Sequence, residues 1–379
     1  MPALNHYRKY LSANFEDVLC LASREFPEDL AKENGFDRPF TYLYNKYIPI
    51  MGRAKFEKGL RERTMTGVEP ADPYEEIATT DAKNVLKDYD IDDRDVIYLP
   101  GVDFYSAIGF MNAIKSLPVD KRPKLFVRFI GVLETATQFY MDPLTSLCTR
   151  LRQAKAQGLR IYLSAETPSY ADKLSFMTRS LTYVTPYPET SEQVPFPERD
   201  EFQVACVGSA RLDKGFMSLG EIARGLKSPS DSRSISLVTQ MMPSRGNDNV
   251  DHYTCQLYAT NGVTLLGSTL TTTEIEGLYR NSNLVLLPYA SDVYKYRGSA
   301  VLMEAASVGR PCVTLSGTAF AVQVEYYGLG TVVDSINDIA HAIRHYVNLA
   351  EDELKHRVTQ ARSRFFFDIN ASYNSWFLS

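Results

Sequence analysis

The stretch FQVACVGSARLDKGF, residues 202–216, decides the reading of the fold. FQVACV is an almost unbroken apolar run without polar alternation, the pattern of a strand covered on both faces inside a parallel sheet. It ends on Gly208, and a short turn carries Arg211 and Lys214, three residues apart, to Gly215 and the helix-length amphipathic segment FMSLGEIARGLK. Strand, glycine, cationic turn and helix place two cations at the carboxyl edge of a sheet, where ligands of open α/β sheets sit. Glycine lets the backbone approach closely there, and phosphate is the anion such a pair suits.

The same alternation continues outward: SISLVTQ, VTLLG, TTTEIEGLYRNS, LVLLPY, AVLMEAASVGR and PCVTL follow in order. Residues 284–304 supply a second half of the constellation. After LVLLPY, a polar turn through Tyr296, Gly298 and Ser299 leads into a helix from Ala300, for which Ser299 is the expected N-cap. The free N–H groups of that helix start suit a phosphate or sugar oxygen. Glu304 lies about one and a half turns in, a carboxylate inside the otherwise apolar AVLMEAASVG. A buried carboxylate needs partners, and no neighbour in sequence supplies one. A buried ion pair and a ligand contact are both open for it.

The N-terminal half repeats the pattern with strand candidates VLCLAS, DVIYLP, KLFVRFI, RIYLSA and LTYVTP, and helical patterns near 45–62, 105–116 and 141–157. Asp103, Arg128 and Glu134 follow or end its apolar runs and are candidates for the acceptor side of a site. Between the halves, PYPETSEQVPFPERDE (186–201) carries four prolines and four glutamates, which suit neither a central strand nor a helix. The expected division is a first domain over 1–187, a second over 201–362, and a Phe- and Trp-rich terminal helix over 363–379.

With 41 Lys and Arg against 46 Asp and Glu, the chain has a net charge of −5 and offers no basic field for nucleic acid. The five cysteines are odd in number and mostly set in apolar runs, which reads as reduced thiols of a cytoplasmic protein. The first residues lack the apolar core of a signal peptide, and no apolar run approaches the ~20 residues of a membrane span. A peripheral contact with the inner face of a membrane is left open; RLRQAKAQGLR offers a basic helix face, which reads first as solvated.

Taken together, GSARLDKGF, VTLLG, LVLLPY and RGSAVLMEAASVGRPCVTL, in this order over about residues 202–333, resemble the donor domain of retaining GT-B glycosyltransferases of the large family four (glycosyl transferases group 1). The resemblance implies an α/β fold of two Rossmann-like domains facing across a cleft. The second domain would bind a UDP- or GDP-linked sugar and the first a glycan, glycolipid or other hydroxyl acceptor, as in polysaccharide biosynthesis. It implies that Arg211 and Lys214 neutralise the donor diphosphate, with Gly208, Gly298, Ser299 and Ala300 nearby. Glu304 would accept from the ribose, and the base would lie near Leu266 and Gly267. It implies a terminal segment that crosses back to the first domain, and a reaction with neither metal nor cofactor. The chain departs from the family at Tyr296, where the first glutamate of an E-x7-E segment is usual, at Ser299, where glycine is common, and in having only His6 as a histidine of the first half. Those departures motivate a rival, a GT-B-like binding or scaffold subunit without catalysis; an epimerase or hydrolase on the same fold is a second.

Other motifs carry less. DYDIDDRD holds Asp90, Asp92, Asp93 and Asp95 but precedes its strand, so it reads as an acidic turn rather than a metal-binding Asp-x-Asp. HAIRH (His341, His345) lacks the glutamate of H-E-x-x-H, and GLG at 328–330 lacks the third glycine of a dinucleotide fingerprint.

Overall fold

The computed structural model describes residues 7–8, 10–41, 73–131, 143–188, 192–197, 200–227, 233–240, 242–243, 250–267 and 270–379. The chain divides into two compact units: Met1–Thr185 with Ser375–Ser379, and Pro186–Asn374.

In the first unit, β1 (Cys20–Ser23) and β2 (Phe36–Phe40) form a small parallel pair. The main sheet has β3 (Val96–Leu99), β4 (Lys124–Phe129), β5 (Ile161–Ala165) and β6 (Thr182–Val184), all parallel, in the order β3-β4-β5-β6. β4 is buried from Leu125 onward because its apolar residues must be covered on both faces. Helices Pro73–Asp88, Phe104–Lys115, Pro143–Ala156 and Pro168–Thr178 accompany it. The first two meet at Gly109, where a Cβ would lie 2.6 Å from the Ala78 carbonyl oxygen, so only glycine permits that approach. The helix expected near 45–62 lies outside the described residues.

The second unit is built on six parallel strands: β7 (Phe202–Cys206), β9 (Ile235–Gln240), β11 (Val263–Leu266), β12 (Leu284–Leu287), β13 (Cys312–Leu315) and β14 (Gly330–Val333). A separate short pair, β8 (Ser209–Ala210) and β10 (Met242–Pro243), sits just beyond β7 and β9. The order β11-β9-β7-β12-β13-β14 is the doubly wound 3-2-1-4-5-6 arrangement. It reverses between β7 and β12, where Leu284 faces Val204 and Val285 faces Ala205. Both strands are buried throughout, and their side chains join one core with Leu219, Leu237, Val313 and Ile343.

Two elements differ from their sequence patterns. FMSLGEIARGLK does not start as an α-helix: 3-10 turns span Leu212–Lys214 and Phe216–Ser218, and the α-helix runs only over Leu219–Gly225. Gly215 at φ 77 separates the two 3-10 turns, since that left-handed backbone cannot continue a right-handed helix. The terminal helix is not confined to 363–379 but runs unbroken over Glu351–Phe377, about 40 Å at 1.5 Å per residue. Its last residues belong to the first unit: Trp376 is fully buried, edge-on to Tyr98 at 5.6 Å and Phe126 at 5.1 Å. Among the described residues, no helix is long and apolar enough to cross a membrane.

Candidate functional site

The carboxyl ends of β7 and β12, side by side at the point where the strand order reverses, carry the two segments that the sequence singled out. Gly208 leaves β7 at φ 113, and a Cβ there would meet Lys214 Nζ at 2.8 Å. Its N–H donates to Gln240 Oε1 at 3.1 Å, which ties the turn to the end of β9. Gly215 closes the 3-10 turn against the segment after β12; a Cβ at Gly215 would lie 2.0 Å from the Pro288 carbonyl oxygen. The Ala290 N–H donates to the Asp213 carbonyl at 2.9 Å, so the two turns are sewn together by backbone contacts.

The two cations differ in their surroundings. Arg211 donates through Nε to Asp213 Oδ1 at 2.7 Å and through Nη2 to the other carboxylate oxygen, and reaches the Tyr294 hydroxyl at 3.3 Å. Asp213 raises the Arg211 pKa still further; burial works to raise that of Asp213, but the hydrogen bonds and charge of Arg211 win and hold it below the usual carboxylate range. Arg211 is thus partly neutralised from within. Lys214 has no such relief: among the described residues no hydrogen bond or ion pair reaches Nζ, which lies 5.4 Å from the centre of the Tyr289 ring. Burial first, and then Arg211, lowers its pKa, with Cys206, Asp213 and Glu304 acting the other way. Tyr289, Tyr294 and Phe320 pack ring to ring, at 4.7 Å for the two tyrosines, and form the floor under these cations. A half-dry ammonium without a carboxylate against it is a place for an anion.

Ser299 caps the helix Ala300–Val308 as expected, its Oγ accepting from the Leu302 N–H at 3.2 Å. Glu304 has a partner that sequence reasoning missed: the Tyr279 hydroxyl donates to Oε2 at 2.6 Å. Tyr279 comes from the helix Thr272–Asn281, which a Thr271–Glu274 capping box starts. Tyr296 is half-buried in the turn before Ser299, with Lys295 Nζ 5.8 Å from its ring centre. Leu266 ends β11 beside Gln240, and among the described residues nothing lies within 4 Å of where a Gly267 Cβ would be. The structure therefore gathers Gly208, Arg211, Lys214, Ser299 and Glu304 around one sheet edge, and adds Asp213, Gln240, Tyr279 and Tyr294. Asp213 was visible in the motif as a spacer; a tyrosine on an apolar helix face, such as Tyr279, gives no signal of its own.

The acceptor-side candidates have framework roles. Asp103 caps the helix Phe104–Lys115, accepting from the N–H groups of Tyr105 at 2.8 Å and Ser106 at 2.9 Å. Arg128, 1% exposed, donates to the carbonyls of Thr185 and Pro100, each at 2.9 Å, and to Glu166 Oε1 at 2.9 Å. These bonds hold the strand ends together and explain a buried guanidinium without any ligand. Glu134 lies outside the described residues. The acidic turn binds its own neighbours, Asp92 holding Arg94 at 2.7 Å, and Arg150 of the basic run pairs with Glu75 at 2.8 Å. His341 and His345 are exposed on the helix Ile336–Val347, and among the described residues no cluster of three or more His, Cys, Asp or Glu is placed to hold a metal.

No family model matches the sequence, and no curated protein matches it. Solved structures do match by shape. A UDP-forming α,α-trehalose-phosphate synthase from Burkholderia xenovorans aligns at TM-score 0.58 and 12% identity over 86% of this chain and 85% of that one. Sucrose-phosphate synthase from Thermosynechococcus elongatus aligns at 0.57 and 14% over 81% and 79%. S. aureus TarM, in complex with Fondaparinux, α-GlcNAc-glycerol and UDP, aligns at 0.59 and 14% over 79% of this chain and 59% of its own. The fold is GT-B. At such identities the likeness concerns architecture, two Rossmann-like units of parallel sheet and helix, and the chemistry has to be argued from the residues.

Proposed function

We propose that this protein is a glycosyltransferase that binds a nucleotide-sugar donor at the β7–β12 edge of its second unit and transfers the sugar to a hydroxyl acceptor. The observation that carries the reading is Lys214: a partly buried ammonium at the reversal point of a doubly wound sheet, lacking a hydrogen-bonded counter-ion among the described residues. A diphosphate supplies that counter-ion. The GT-B fold supports the reading, since a UDP-forming synthase and a chain crystallised with UDP share it.

In the proposed reaction the bond from the anomeric carbon to the diphosphate oxygen breaks and a bond to the acceptor oxygen forms. The acceptor proton leaves on the departing phosphate oxygen, so no protein base is assigned. Charge grows on the diphosphate as it departs, and Lys214, Arg211 and the N–H groups at the Ser299 helix start stabilise it where it grows. Glu304 accepts from the ribose, the rim at Leu266 and Gly267 takes the base, and Gly208, Gly298 and Ala300 let the backbone approach the diphosphate and sugar. The donor is a UDP- or GDP-linked hexose and the acceptor, held by the first unit, a glycan or glycolipid. Retention and independence from metal follow the family resemblance.

The test is a calorimetric screen of UDP, GDP and ADP, followed by incubation of the matching nucleotide sugar with and without acceptors in EDTA. Nucleotide binding together with acceptor-dependent release of nucleoside diphosphate is expected. Activity restored only by Mg²⁺ or Mn²⁺ refutes the metal-free mechanism. Tyr296, in the place of a family glutamate, favours a second reading, a binding subunit without catalysis; nucleotide binding with no turnover on any acceptor would select it.

A further inference from the structure

We infer that Tyr279 is a positioning residue that holds the Glu304 carboxylate for a ribose, and so sets the preference of the site for nucleotides bearing ribose hydroxyls; this rests on the donor-site reading above. The phenol reaches Glu304 Oε2 at 2.6 Å from a neighbouring helix, 25 residues away in sequence. Tyr279 is 3% exposed, and burial followed by the charge of Glu304 pushes its pKa well above the ordinary value, so it stays a neutral donor throughout the useful pH range.

Tyr279 is gripped at both ends. Its carbonyl accepts from Arg310 Nε at 3.1 Å, and the same guanidinium donates to the carbonyls of Val194 at 3.0 Å and Pro195 at 2.5 Å. Arg310 is 1% exposed and lies over the Phe196 ring at 4.7 Å; burial lowers its pKa to about 10, which still leaves it charged at neutral pH. The backbone that carries the phenol therefore cannot shift without breaking contacts of a buried cation that also fastens the connecting segment, and burial confines the ring itself. A glutamate side chain has three torsions to order, and a fixed donor on one oxygen removes that freedom before the ligand arrives. A carboxylate held in one place discriminates for hydroxyls that meet it, because a ligand lacking them forgoes hydrogen bonds to a charged group.

A packing role for Tyr279 would not read ribose hydroxyls, and the test uses this difference. For the full chain, whichever of UDP, GDP and ADP binds most tightly is compared by calorimetry with its 2′,3′-dideoxy counterpart. The wild-type protein is expected to prefer the ribonucleotide. Tyr279→Phe keeps the ring and should reduce that preference by about tenfold, the equivalent of one hydrogen bond to a charged group. Tyr279→His, which restores a ring N–H, should recover part of it and provides a second variant if the first folds poorly. In a Glu304→Gln background, Tyr279→Phe should cause no further loss. A preference unchanged in Tyr279→Phe but abolished in Glu304→Gln overturns the inference and leaves the donor site standing. A preference unchanged in both, or no nucleotide bound at all, overturns the donor-site reading and the inference with it.

Discussion

Replacing Lys214 by Met removes the ammonium and keeps most of the stem, which separates a ligand-binding charge from a structural one. In the folded chain Nζ has the Tyr289 ring at 5.4 Å, with no hydrogen bond or ion pair from the described residues. The ring contact contributes about 0.5–2 kcal/mol, and burial of the charge opposes it. Burial and the charge of Arg211 outweigh the favourable charges around the ammonium, so its removal should lower the stability without ligand by no more than about 1 kcal/mol. A diphosphate would lose one charge-assisted hydrogen bond, about 1.5–3 kcal/mol, or roughly 10- to 150-fold in Kd. The nucleoside, which never meets the ammonium, should lose less than about threefold. Calorimetry with UDP and uridine (or the guanosine pair), beside denaturant melts, gives all three quantities. A variant that is less stable by several kcal/mol yet binds UDP normally would show that Lys214 belongs to the core, and would refute the reasoning.

The depressed pKa of Lys214 has its own consequence: a bound diphosphate raises it again, so nucleotide affinity should fall as pH climbs through the depressed value, below the titration of an ordinary lysine. Over that same window the unliganded protein should gain stability, because the unfolded chain then holds the proton that the folded one has lost; a pH series of melts and titrations checks both signs. Gly215→Ala places a Cβ 2.0 Å from the Pro288 carbonyl oxygen at φ 77, and should cost at least about 2 kcal/mol in chemical denaturation and weaken UDP binding by separating the two turns. Trp376→Ala removes a fully buried indole and should destabilise by about 3–5 kcal/mol, visible as a lowered Tm; an unchanged Tm would mean that the end of the terminal helix does not pack as described.

Much of the second unit was legible because strands buried on both faces are written as largely apolar runs, which β12 is throughout and β7 is but for Gln203. The glycines and cations of GSARLDKGF could be placed at a sheet edge for the same reason, since a turn after such a strand has nowhere else to go. What failed to show were contacts between segments far apart in the chain. Asp103 had the residue type of a site carboxylate, but an aspartate before a helix is also a cap, and here it is one. Arg128 interrupts an apolar strand in a manner that suggests a ligand, yet its acceptors include the Pro100 and Thr185 carbonyls and the Glu166 carboxylate, which no local pattern reveals. The strand order that brings β7 and β12 together is likewise a property of the assembled sheet.

Glu304 shows how the structure sharpens a question that the sequence could only pose. From the sequence, its replacement by Gln distinguishes a ribose ligand from half of a buried ion pair, whose loss would cost about 3–5 kcal/mol. The structure puts a phenol on Oε2, a neutral donor that the carbonyl oxygen of glutamine can also accept from. Glu304→Gln should therefore retain the Tyr279 hydrogen bond in a weaker, uncharged form, at a cost of about 1 kcal/mol for that contact. The effect on the ligand should be larger, because a ribose hydroxyl that meets the amide nitrogen in place of an oxygen finds a donor facing a donor. Nucleotide affinity should fall by about 1–3 kcal/mol, with 2′,3′-dideoxynucleotide affinity nearly unchanged. Melts with and without UDP or GDP, joined to titrations of both nucleotides, measure each term separately. A large loss of unliganded stability with the wild-type increment in Tm on adding nucleotide would make Glu304 a framework residue, and would leave Lys214 to carry the donor site alone.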